Sequence, residues 1–132
     1  MKKFLKGILG AIVWLLLVGA QGQAALSQNI SAAQARDLLS AEPGIFLLDV
    51  RTPEEYQQIR LDGARLVPID QLQKRIDELP KDRSILVYCA VGSRSSQVAN
   101  YLARLGYPAV YNLYGGIYAW QLRGFPVIQG RP

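Results

Sequence analysis

The chain has 132 residues and 14.6 kDa, is 50% apolar and 19% charged, and has a mean hydropathy of +0.09, a balance that fits one domain and excludes both a disordered tail and a polytopic membrane protein. It holds no histidine and one cysteine, Cys89, which excludes Ser-His-Asp and Cys-His catalysis, an imidazole zinc site, an intramolecular disulfide, a cysteine cluster and a Cys-x-x-Cys pair. The net charge is +5, but three of the 15 Lys and Arg are Lys2, Lys3 and Lys6, and the other 12 lie scattered among 10 acids, so the pI signals no nucleic-acid binding.

Residues 1–6 are basic, and residues 7–20 are uncharged and rich in Leu, Ile and Val. Gln21-Gly22-Gln23-Ala24-Ala25 then places small residues before a cut after Ala24. This is the pattern of a secretory signal peptide. We read residues 1–24 as that signal and residues 25–132 as an exported, periplasmic domain. The alternative is an uncleaved anchor, supported by Trp14, with the domain still periplasmic but tethered to the membrane. No cysteine follows the apolar run, which excludes a lipoprotein anchor. Exported compartments are oxidising, so a lone thiol there reads as a reactive group.

In the exported part, Ser31 and Gln34 form a capping box that opens a helix carrying Ala32, Ala35, Leu38 and Leu39, stopped by Glu42-Pro43-Gly44. Ile45-Phe46-Leu47-Leu48-Asp49-Val50 is a continuous apolar run of the kind buried on both faces of a parallel sheet. Thr52-Pro53-Glu54-Glu55 is a second capping box, starting a short helix to Gln58. Arg65-Leu66-Val67-Pro68 is a brief strand. Asp70 is expected to cap a helix through Leu72, Ile76 and Leu79. Ser84-Ile85-Leu86-Val87-Tyr88 is the next strand, and Cys89-Ala90-Val91-Gly92-Ser93-Arg94 is a loop. A helix is expected from Ser95, with Val98, Tyr101, Leu102 and Leu105, to Gly106. Ala109-Val110-Tyr111-Asn112-Leu113 is a strand. Gly115-Gly116 breaks into a short helix with Ile117, Trp120 and Leu122, before Gly124-Phe125-Pro126 and a polar tail. Strands alternating with helices predict an α/β fold: a mostly parallel central sheet with helices on both faces. Ligands then sit beyond the carboxyl ends of the strands, where Asp49-Val50-Arg51 and Cys89 meet at one edge.

Cys89 opens a strand-to-helix loop. Its backbone N–H groups and the following helix N-terminus favour negative charge on the sulfur. Arg94 adds a cation, and Gly92 allows the amides to turn inward. Together they predict a depressed thiol pKa and a thiolate at working pH. The competing reading is an inert cysteine at a buried strand end. Of Ser93, Ser95 and Ser96, one is assigned to helix capping and the others to anion contacts. Tyr88 and Trp120 read as core.

Cys89-Ala-Val-Gly-Ser-Arg94-Ser95 resembles the active-site loop of the rhodanese sulfurtransferases. Leu48-Asp49-Val50-Arg51-Thr52-Pro53-Glu54-Glu55-Tyr56, Gly63-Ala64, Gly115-Gly116-Ile117, Trp120 and Gly124-Phe125-Pro126 are similar to that family's other signatures, in order, over residues 31–127. An exported single-domain member looks most like the small periplasmic phage-shock-type rhodaneses. The resemblance implies a rhodanese-like fold and ping-pong sulfur transfer. Thiosulfate would give its outer sulfur to Cys89, and the persulfide would pass it to cyanide or a thiol. Ala90, Val91, Gly92, Ser93, Arg94 and Ser95 would cradle the sulfur, with Arg94 holding the anionic donor and no cofactor or metal required. In family terms Asp49 and Arg51 support the loop from the neighbouring strand; the alternative is that Arg51 pairs with Glu54 or Glu55. One stretch departs from the family. Gly-His-Ile-Pro-Gly-Ala is replaced by Ile59-Arg60-Leu61-Asp62-Gly63-Ala64, read as a structural turn where Arg60 alters the charge. Two other functions compete: a Cys-x5-Arg phosphatase, disfavoured by the shorter Cys-x4-Arg spacing here, and a non-turnover module that carries persulfide or binds a partner.

Overall fold

The computed structural model describes residues 26–132, so the segment read as a signal peptide lies outside the described residues. Strand β1 spans Gln28–Ile30, and helix α1, Ala32–Ala41, follows with the Ser31–Gln34 capping box formed in both directions. Strand β2 is Phe46–Asp49 and helix α2 is Pro53–Gln58, the latter with Thr52 as N-cap and Glu55 completing its box. Short strands β3, Ile59–Arg60, and β4, Arg65–Leu66, come next. Strand β5 is Ile85–Tyr88, helix α3 Ser93–Arg104, strand β6 Val110–Leu113, helix α4 Gly116–Leu122 and strand β7 Ile128–Gln129.

The main sheet has the order β1-β6-β5-β2-β4, and every pairing in it is parallel. β3 and β7 form a separate antiparallel pair. Strand alternation splits the core between the two faces. Leu48, Val50, Ile85, Val87 and Cys89 pack with Val98 and Leu102 of α3. Leu47, Leu86 and Tyr88 pack on the other side with Ala32 and Ala35 of α1 and Ile117 and Trp120 of α4. The expected sheet with helices on both faces is therefore observed, and Cys89 falls on the face covered by α3. Among the described residues no helix is long and apolar enough to cross a membrane.

Three expectations need correction. The helix expected from Asp70 to Leu79 is instead two single 3-10 turns, Ile69–Gln71 and Ile76–Glu78. Neither turn has a side-chain cap. Leu72 and Leu79 are buried, and the Tyr107 hydroxyl donates toward the Ile76 and Leu79 carbonyls. Anchoring at both ends outweighs the helical propensity of the segment. Second, α3 begins at Ser93 rather than Ser95, because Gly92 at φ 100° serves as a left-handed N-cap without any side-chain cap. No serine therefore caps this helix. Third, residues 59–60 and the tail are not plain turn and coil. They pair as β3 and β7, and the Arg60 guanidinium donates to the Tyr56 and Gly130 carbonyls (3.3 and 2.5 Å). Arg60 thus ties the carboxyl-terminal tail to α2.

Candidate active site

Parallel strands deliver Asp49 and Cys89 to one edge, as Asp49 of β2 lies in register with Tyr88 of β5. Beyond Tyr88 the chain must turn from strand to helix within a few residues. The Cys89 and Ala90 carbonyls accept from the Ile117 and Tyr118 N–H groups of α4 (3.0 and 3.1 Å). A trans peptide points its N–H opposite to its C=O, so anchoring these carbonyls on α4 turns the next amides the other way. Gly116 makes this approach possible. A Cβ there would lie 2.4 Å from the Ala90 carbonyl oxygen and 2.6 Å from that of Cys89, and its φ is +63°.

On the inner side, Cys89 Sγ accepts from the Gly92 N–H (3.1 Å), the Ser95 Oγ–H (3.3 Å) and the Ser95 N–H (3.4 Å). The Val91 side chain, in the same loop, is exposed. Ser95 sits in the first turn of α3, whose leading amides lack helical partners and carry the positive end of the dipole. Cys89 is 0% exposed. Burial pushes the thiol pKa up, but the hydrogen bonds, those from Ser95 and Gly92 among them, outweigh it, and the net effect is a pKa below the ordinary 9.0. Cys89 thus lies within the buried core and at the same time accepts hydrogen bonds from Gly92 and Ser95. Of the three serines, Ser95 contacts the sulfur directly; Ser93 is exposed and makes no such contact.

Arg94 does not stand open to solvent. Its Nη1 and Nη2 donate to Glu55 Oε1 and Oε2 (2.8 and 2.9 Å), with both side chains about one-third exposed (33% and 31%). This pair raises the Arg94 pKa, with the Cys89 charge contributing further, and holds Glu55 at about 2. Nothing local in the sequence pairs residues so far apart.

Arg51 pairs with Asp49, not with Glu54 or Glu55. Both are buried, joined through Arg51 Nε and Nη2 at 2.7–3.1 Å, and the Arg51 N–H also donates to Asp49 Oδ1 (3.0 Å). Arg51 Nη2 donates as well to the Ile59 carbonyl (2.7 Å). Ile59 closes α2, so this clamp returns the end of α2 to the strand it left and thereby places Glu55. Tyr88 is core, as expected. Its hydroxyl accepts from the Leu61 N–H (3.1 Å), and burial and the neighbouring Asp49 push its pKa up. Asp49 and Arg51 thus lie beside the loop on the neighbouring strand, next to Tyr88, and also hold the end of α2. Among the described residues no group of three or more His, Cys, Asp or Glu is placed to hold a metal.

The family model described as "Rhodanese-like domain" matches residues 31–123. A sulfurtransferase of Allochromatium vinosum is 42% identical over 100 residues, covering 76% of this chain and 94% of the relative. The thiosulfate sulfurtransferase GlpE of Tolumonas auensis is 36% identical over 93 residues, covering 70% and 87%. Among solved structures, a rhodanese-related protein from Thermoplasma volcanium superposes with a TM-score of 0.68 at 33% identity, covering 76% of this chain and 97% of the other.

Proposed function

The chain belongs to the rhodanese-like family of sulfurtransferases, and from that premise we propose that it transfers the outer sulfur of thiosulfate through a persulfide on Cys89 to cyanide or a thiol. The observation that carries this reading is the convergence of the Gly92 and Ser95 amides and the Ser95 hydroxyl on one sulfur. The thiolate attacks the outer sulfur of thiosulfate. A new S–S bond forms at Cys89, the old one breaks, and sulfite leaves with its electron pair. The amide ring that held the thiolate then faces the negative terminal sulfur, as an oxyanion hole faces oxygen. Attack on that sulfur by cyanide forms thiocyanate and returns the thiolate. No electron is gained or lost overall, and no proton transfer is needed, in keeping with the absence of histidine. Because Cys89 is closed to solvent, the donor enters by a movement of side chains around the loop. The GlpE relative, by its name a thiosulfate sulfurtransferase, supports the choice of donor.

The test is thiocyanate formation from thiosulfate and cyanide by the purified domain and by Cys89→Ser, with an aryl phosphate as a second substrate. Turnover lost in Cys89→Ser supports the proposal; phosphate release without thiocyanate overturns it. Arg94 engaged by Glu55 argues against the phosphatase reading. We further propose that residues 1–24 direct export to the periplasm. The intact mass of the exported protein should correspond to a start at Ala25; a start at Met1 supports the anchored alternative.

A further inference from the structure

We propose that Glu55 is a specificity-determining residue that competes with anionic sulfur donors for Arg94. The inference rests on the sulfur-transfer reading above and concerns which donors the site accepts.

Two independent sets of contacts hold the Glu55 carboxylate. Oε1 accepts from the Thr52 N–H and Oγ1–H (both 3.2 Å), the side-chain half of the capping box of α2. Both oxygens accept from the Arg94 fork (2.8 and 2.9 Å). The capping box would fix Glu55 here even without Arg94, and the Asp49–Arg51–Ile59 clamp fixes α2 itself. The carboxylate is therefore a standing occupant of the guanidinium. It stays ionised at any working pH, since its pKa is held at about 2. A bidentate carboxylate uses the fork geometry that an oxyanion would use. A doubly charged donor approaching the loop thus meets a neutralised pair and must displace or share with Glu55. A neutral donor faces no such competition.

A purely positioning role predicts the opposite sign. If Glu55 only aims Arg94 at the donor, its removal weakens anion binding; if it competes, its removal strengthens it. Glu55→Gln separates the two, because the amide oxygen still accepts from the Thr52 N–H while the charge is gone. The first readout is steady-state kinetics with thiosulfate. We expect KM to fall on the order of threefold or more, with the gain in kcat/KM coming through KM, and to become more sensitive to added salt. The second readout needs no turnover: the rate of Cys89 alkylation by iodoacetate, an anion, divided by that by iodoacetamide, its neutral analogue. That ratio should rise by a similar factor. Glu55→Asp, which keeps the charge on a shorter stem, should fall between wild type and Glu55→Gln in both readouts. Thermal unfolding verifies that each variant is folded. An unchanged or higher KM together with an unchanged or lower alkylation ratio overturns the proposal. Absence of thiosulfate turnover in wild type would sink the sulfur-transfer reading instead, and the alkylation ratio would still decide the role of Glu55.

Discussion

Replacing Ser95 by alanine isolates one donor in the sulfur cradle. Ser95 Oγ lies 3.3 Å from Cys89 Sγ and 3.2 Å from the Gly92 carbonyl oxygen, and it has one proton for the two. Beside a thiol the proton serves the carbonyl; beside a thiolate it turns to the sulfur. The Gly92 carbonyl keeps a second donor, the Ser96 N–H at 3.0 Å, so the substitution leaves no orphaned backbone group. A hydrogen bond to a charged group contributes about 1.5–3 kcal/mol. The long contact to sulfur places this one at the low end, about 1.5 kcal/mol, or about one pKa unit. The Gly92 and Ser95 amides remain and keep part of the depression. The assay is the pH dependence of iodoacetamide alkylation in wild type and Ser95→Ala, whose midpoint should rise by about one unit. Linkage supplies a second check. Between its folded pKa and 9.0, native Cys89 is ionised while the unfolded thiol is protonated, so stability rises with pH across that window and is lost as pH falls through the folded pKa. Ser95→Ala should shrink that rise. A midpoint that stays put or falls in a folded variant would refute the role given to the hydroxyl.

Gly116→Ala should cost at least about 2 kcal/mol in urea unfolding, from left-handed strain and collision with the loop carbonyls, and should raise the alkylation midpoint; an unaltered melt and midpoint would mean that α4 does not shape the loop. Asp49→Asn leaves Arg51 buried against a neutral partner and should destabilise by about 3–5 kcal/mol, with a loss under about 1 kcal/mol contradicting the clamp. The Glu55 carboxyl has a folded pKa of about 2 against an ordinary 4.5. Its stabilising effect is therefore complete above 4.5 and lost as pH falls toward 2, so Glu55→Gln should flatten the acid limb of stability against pH. An identical acid limb in both proteins would show that the pair adds nothing in solution.

The sheet was legible because β2 and β5 are short apolar runs with helices between them, and such a pattern has few alternatives. The capping boxes at Ser31 and Thr52 were legible because their chemistry is local. Cys89 stood out through composition and its place between a strand and a helix. What escaped was non-local. β1, β3 and β7 are two or three residues long, and partners decide them rather than their own pattern. The Asp70–Leu79 segment has helical spacing, yet tertiary anchors at Leu72, Leu79 and Tyr107 override it. The start of α3 depended on Gly92 adopting a positive φ, which sequence permits but does not require. Within the site, the Arg94–Glu55 pair joins two elements on different strands' ends, and the part played by Ile117 and Tyr118 is a backbone role with no side-chain signature.

The most direct test of the account is the mass of the Cys89 peptide after the folded protein meets thiosulfate. The account predicts a gain of one sulfur atom on that peptide, removed by cyanide and absent in Cys89→Ser. Native protein that takes up no sulfur, or a Cys89→Ser variant that still does, would contradict it.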